Sequence, residues 1–197
     1  MTSHFYKTTI AGVLMIFGLA GIAGAQGPAA ALAVPNANYV TIPMEVTVNR
    51  PAAEVWKRVG KYCDIGEWLR VQCTIVSGKD GEVGTVRSIG NEILVGKTEL
   101  SYTYTQPVRT GQTYNLYHGT LEARPLTATT SKLVYTLVYD NSTIAEDARD
   151  RDKERRRQQF TTALENMKIL AEGGTLPPAP PRGAGPGGAG GGQRGNQ

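Results

Sequence analysis

The feature that most constrains this chain is a helix-length segment near its end whose later half is apolar on one side. Phe160, Ala163, Leu164, Met167, Leu170 and Ala171 recur at helical spacing, whereas the turns before them, Arg149 to Arg157, interleave basic residues with Asp150, Asp152 and Glu154. Such a helix must lay its apolar half on an apolar surface. Thr143-Ile144-Ala145-Glu146 has the form of a capping box and predicts where the helix starts.

The surface that can receive it is built from strands. Ile42, Met44, Val46 and Val48 alternate with Thr41, Glu45 and Thr47, the period of a strand with one wet face. Asn49 and Pro51 then signal a helix with Val55, Trp56 and Val59 on one side, and a shorter helix from Ile65 to Leu69 presents Ile65, Trp68 and Leu69. Short strands follow at Cys73 to Ser77, Val83 to Ile89, Glu92 to Val95, Leu100 to Thr105, Tyr114 to Ala123 and Lys132 to Tyr139. Turn residues such as Gly78-Lys79-Asp80-Gly81 and Gly90-Asn91 separate them. Consecutive strands joined this way are antiparallel neighbours. With helices segregated at the ends, the expected class is α+β, a curved antiparallel sheet around a long C-terminal helix.

Strand parity predicts which face meets the helix. Leu100, Tyr102 and Tyr104 share a face, as do Tyr117, Gly119 and Leu121, and Leu133, Tyr135, Leu137 and Tyr139. Ser101, Thr103, His118, Thr120 and Glu122 lie opposite and are polar, so the tyrosine face is expected inward and His118 outward. Tyrosine combines apolar area with a hydroxyl that needs a partner, which suits a ligand pocket and equally suits a packed core. Both tryptophans are read as core residues, Trp68 as the one nearer a pocket mouth. Arg87, Lys97 and Glu45 lie in or beside strands, where surface placement is the default.

The two ends read differently. His4 and Lys7 precede an uncharged run from Ile10 to Ile22, and Ala23-Gly24-Ala25 supplies a small-x-small site, the layout of a secretory signal over residues 1–25. Cleavage before Gln26 is expected, with Ala31-Leu32-Ala33 as the alternative site, leaving no stable membrane span. Residues 26–38 read as a spacer, 39–172 as one domain, and the Gly- and Pro-rich 173–197 as a disordered tail. The formal net charge of +4 falls to +1 once Lys7, Arg182 and Arg194 are set aside. No basic face for nucleic acid is expected. Export would take the only two cysteines, Cys63 and Cys73, into a compartment where disulfides persist, and a bond between them is predicted. Nucleophile-elbow and phosphate-loop motifs are absent, the cysteines and histidines do not make a metal site, and no cofactor is implied. Oligomeric state is not legible.

The order of elements and several strings resemble the START/Bet v1-like superfamily, also labelled SRPBCC or polyketide cyclase/dehydratase. Pro51-Ala52-Ala53-Glu54-Val55-Trp56, Ile65-Gly66-Glu67-Trp68 and Gly81-Glu82-Val83-Gly84-Thr85-Val86-Arg87 carry the resemblance, together with the strand Lys132 to Tyr139 and the closing helix. It implies a helix-grip fold enclosing a cavity for a hydrophobic or amphipathic small molecule, and it covers both carriers and cyclases. The leading expectation is an exported, non-enzymatic binder or carrier with no assigned catalytic residue. Its ligand is expected between the tyrosine face and the helix, touched by Trp68, Tyr102, Tyr104, Tyr117, Gly119, Tyr135, Phe160, Leu164 and Met167. A cyclase or dehydratase using pocket tyrosines is the first alternative. An envelope interaction protein without a ligand is the second.

Overall fold

The computed structural model describes residues 36–108, 111–112 and 114–178. The expected signal, residues 26–35 of the spacer and residues 179–197 of the tail lie outside them. Strand β1 (Tyr39–Val48) leads into helices α1 (Ala52–Val59) and α2 (Ile65–Trp68). Strands β2 (Ile75–Ser77), β3 (Val86–Arg87), β4 (Glu92–Lys97), β5 (Ser101–Thr105), β6 (Asn115–Pro125) and β7 (Ser131–Asp140) follow, and α3 (Glu146–Ala171) closes the domain.

The seven strands form one sheet in the order β1-β7-β6-β5-β4-β3-β2, antiparallel at every pairing. Each strand from β2 to β7 pairs with its sequence neighbour, as tight turns require. The exception is β1, which α1 and α2 carry away from β2 so that it pairs along its whole length with β7, from Tyr39 opposite Asp140 to Val48 opposite Ser131. The sheet grips α3, making this a helix-grip fold.

The inward face is the tyrosine face. Tyr102, Tyr104, Tyr117, Leu121, Leu133, Tyr135, Leu137 and Tyr139 are buried together with Phe160, Ala163, Leu164, Met167 and Leu170 of α3. On the other face Thr103 and Thr120 share a hydroxyl–hydroxyl bond of 2.9 Å, and His118 is half-buried.

Two local expectations change. The capping box does not form: α3 begins at Glu146 with Ala145 as its N-cap and no side-chain cap bond. Asp140 claims the preceding residues instead, accepting from the Ser142 amide at 3.0 Å, while the Ile144 amide donates to the Asn141 carbonyl. Arg149 then reaches back to the carbonyls of Ile144 and Ser142. At the other end of α3, residues 173–178 are part of the domain rather than the start of a tail. The Gly174 amide donates to the Ile169 carbonyl at 2.8 Å, Leu176 packs on the core, and Arg70 donates to the Pro177 carbonyl. One leucine is too little to build a core but enough to join one that already exists.

Candidate ligand site

A pocket of about 400 Å³ opens between the end of α1, the turn before β3 and the β4–β5 hairpin. Its walls include Trp56, Tyr62, Leu94 and Tyr102, and its charged members, Lys61, Lys97, Asp80 and Glu99, balance in sign. Small-molecule sites fall in the range of roughly 300–1,000 Å³, and here an apolar wall meets a polar one, with Thr98 and Ser101 beside the four charged residues. Trp56 stands here because Gly60 lets it: a Cβ on Gly60 would lie 2.4 Å from the indole. The order of the two tryptophans is thus the reverse of the sequence reading. Trp56 is half-buried at the mouth, and Trp68, with no exposure, packs edge-on against Tyr135 in the interior. On a helix as short as α2, the apolar side faces straight into the core.

Behind the pocket lies a buried ion pair. Arg87 and Glu92 are cross-strand partners on β3 and β4, and Arg87 Nε donates to Glu92 Oε2 at 2.6 Å. A second guanidinium nitrogen of Arg87 donates to the Tyr62 carbonyl at 2.6 Å, while the Tyr62 hydroxyl donates to the Glu92 carbonyl at 2.9 Å. Glu92 Oε1 accepts from Gln106 at 2.8 Å. The guanidinium carbon lies 4.3 Å from the centre of the Tyr62 ring and 4.7 Å from that of Tyr104. Burial works against the Arg87 charge, but Tyr102 and Glu92 outweigh it and hold its pKa above the ordinary value. Disulfide Cys63–Cys73 fixes the backbone directly after Tyr62.

A second guanidinium, Arg156 of α3, enters from the other side. Its carbon lies 4.6 Å from the rings of both Tyr114 and Tyr139, and its Nε donates to Asp152 at 2.8 Å. Asp152 also accepts from the Tyr139 hydroxyl at 3.0 Å. Burial pushes the Tyr139 phenol up to about 12 and raises Tyr62, Tyr104, Tyr117 and Tyr135 as well. These groups are hydrogen-bonding phenols, poorly suited to giving up a proton.

Of the residues predicted to touch a ligand, Tyr102 alone borders this pocket. Tyr104 and Tyr135 join their hydroxyls at 2.8 Å, Tyr104 and Tyr117 have ring centres 6.3 Å apart, and Tyr135 meets Phe160 at 4.7 Å. There the sheet face and the helix pack directly on each other, with Leu164 and Met167 in the same core. The room left by Gly119 is taken by Tyr104, whose ring comes within 2.4 Å of where a Cβ would be. Trp56 and Tyr62 were not expected at a pocket, nor Glu92 and Arg156 as buried charges. One signal was available: Arg87 and Glu92 are opposite charges flanking the Gly90-Asn91 turn, hence cross-strand neighbours.

Among the described residues, no helix is long and apolar enough to cross a membrane, and no cluster of His, Cys, Asp and Glu is suited to a metal ion.

The sequence profile of the family described as polyketide cyclase/dehydrase and lipid transport matches residues 39–172. No curated protein matches the chain. Among solved structures, a Thermobifida fusca protein is 25% identical with a TM-score of 0.56, over 66% of this chain and 92% of that one. The Zhui aromatase/cyclase from Streptomyces sp. R1128 is 18% identical with a TM-score of 0.52, over 70% of this chain and 100% of the other. Truncated norcoclaurine synthase from Thalictrum flavum is 13% identical with a TM-score of 0.54, over 71% and 97%.

Proposed function

This chain belongs to the polyketide cyclase/dehydrase and lipid transport family, within the Bet v1-like superfamily, and from that premise we propose that it binds or carries a hydrophobic or amphipathic small molecule at the mouth pocket. The observation that carries the reading is the pocket itself: about 400 Å³, walled by Trp56, Tyr62, Leu94 and Tyr102. Direct contact between the tyrosine face and α3 moves the proposed ligand from the middle of the domain to its open end. Quenching of Trp56 fluorescence by a neutral naphthalene probe tests this. Saturable one-to-one binding is expected, lost when Gly60→Leu drives the Trp56 indole into the pocket; quenching that never saturates, or that Gly60→Leu leaves intact, would sink the reading.

A cyclase or dehydratase activity is the second reading. It is favoured by the Asp152 carboxylate within hydrogen-bond reach of the Tyr139 phenol. The raised pKa values of the buried phenols weigh toward binding, because acid catalysis works best with a pKa near the operating pH.

We further propose that the protein works after export. The Cys63–Cys73 disulfide supports this, since such bonds persist in oxidising compartments. Alkylation of protein taken from its host, without prior reduction, is expected to leave both cysteines unmodified; labelling of both would overturn the proposal.

A further inference from the structure

Lys97, at the end of β4, is a pocket cation whose charged atom is fixed by a second lining residue: its Nζ donates to the Gly81 carbonyl at 2.6 Å. Gly81 stands in the turn before β3 with φ +76° and open space where a Cβ would be, so backbone conformation rather than crowding calls for glycine there. An ammonium can donate to more than one acceptor, and this bond leaves it free to take another. Its charge also lacks a match. Among the described residues Lys97 forms no ion pair, although the carboxylates of Asp80 and Glu99 belong to the same lining. Lys61, the other pocket cation, is engaged with Asp64: its amide donates to that carboxylate at 2.8 Å, and its charge partly offsets the effect of burial on the Asp64 carboxyl. Trp56 and Leu94 supply apolar surface in the same pocket.

We propose that the ligand is a small apolar molecule bearing a carboxylate, which accepts a hydrogen bond from Lys97 while the apolar body lies against Trp56 and Leu94. The inference rests on the small-molecule reading above and adds the chemical class.

Matched naphthalene probes separate the two, titrated against the full chain at low salt and read by tryptophan quenching. 2-Naphthoate is expected to bind roughly five-fold more tightly than 2-acetylnaphthalene, a neutral ketone of similar shape. That is the upper range for one exposed charge pair, and Asp80 and Glu99 keep it from being larger. The advantage should shrink as salt is raised. The cation 2-naphthylmethylammonium should bind more weakly than naphthoate. Lys97→Met should bind naphthoate and the ketone equally tightly. Lys61→Met removes the same charge from the pocket and should narrow the preference less. Ketone binding as tight as naphthoate in the wild type leaves the pocket standing and overturns the anchor. A preference that survives Lys97→Met, that Lys61→Met narrows as much, or that salt does not touch also overturns it, as does tighter binding of the ammonium. A Lys97→Met variant that has lost both probes would assign Lys97 to holding the turn at Gly81, again against the anchor. If no probe binds the wild type, the pocket reading falls and the anchor with it.

Discussion

Arg87 and Glu92 face each other across the β3–β4 hairpin with side-chain exposures of 0% and 3%; one carboxylate oxygen accepts from Arg87 Nε at 2.6 Å and lies 2.5 Å from a second guanidinium nitrogen. Removing one member of a buried pair strands the other, at a cost of about 3–5 kcal/mol, whereas replacing both with apolar groups of similar volume is often near neutral. Glu92→Gln should therefore lower stability far more than the double variant Arg87→Met, Glu92→Leu. Urea unfolding of both, with unchanged m-values, checks this; a single variant as stable as the wild type would contradict it.

Gly119 faces Tyr104 across β5 and β6, and its missing side chain is the space the ring occupies. Gly119→Ala should displace the ring, disturb the hydrogen bond to Tyr135 and lower stability by about 1–3 kcal/mol, the range for overpacked cores. Gly60 has an ordinary helical backbone, so Gly60→Ala acts through space alone, pushing the Trp56 indole into the pocket. A changed tryptophan emission and weaker binding of bulky ligands, with small ligands spared, are expected from a fluorescence titration.

Acid should unfold the domain through Asp140 and Asp152. Burial opposes both charges, but hydrogen bonds from Ser142 and Asn38 to Asp140, and from Arg156 to Asp152, prevail and hold both below the usual carboxylate value. A depressed folded pKa gives stability that is complete above the unfolded pKa of about 3.9 and is lost as pH falls through the lower folded value. Asp64, raised by burial, has the opposite sign and regains stability in acid. Melting temperatures should thus fall below about pH 4. Asp152→Asn should flatten that fall, and an unchanged acid slope would contradict the assignment.

The disulfide closes a loop of sequence separation 10 that contains α2 and follows Tyr62. Replacing both cysteines with serine should lower stability by roughly 3 kcal/mol in the chain-entropy model. It should also weaken ligand binding, because Tyr62 both borders the pocket and accepts from Arg87. Calorimetry and the probe titration measure the two effects separately. Full affinity in the folded serine variant would show that Tyr62 is positioned without the bond.

Periodicity made the architecture readable. The alternation of Tyr102 with Thr103 follows directly from pleat geometry, that of β7 less sharply because Val134 and Val138 stand opposite Leu133 to Tyr139, and Phe160 to Leu170 could pack only on the tyrosine face. The site was less readable because its contents depend on distances between elements. Nothing in the spacing of Gly119 says whether the gap holds a ligand or Tyr104. The depth of Arg87 depends on Glu92 and the Tyr62 ring arriving from two other segments. Trp56 and Trp68 exchange roles because the tilt of α1 and α2 over the sheet, set by tertiary packing, decides which indole reaches the mouth.

A small molecule held at the pocket between Trp56 and Tyr102 should survive gentle isolation of the protein. Native mass spectrometry of the protein purified gently from its own host tests it most directly. A discrete adduct is predicted, released on denaturation and missing from the Gly60→Leu variant prepared the same way. The mass of the bare polypeptide in every preparation, or an adduct that Gly60→Leu retains, would contradict it.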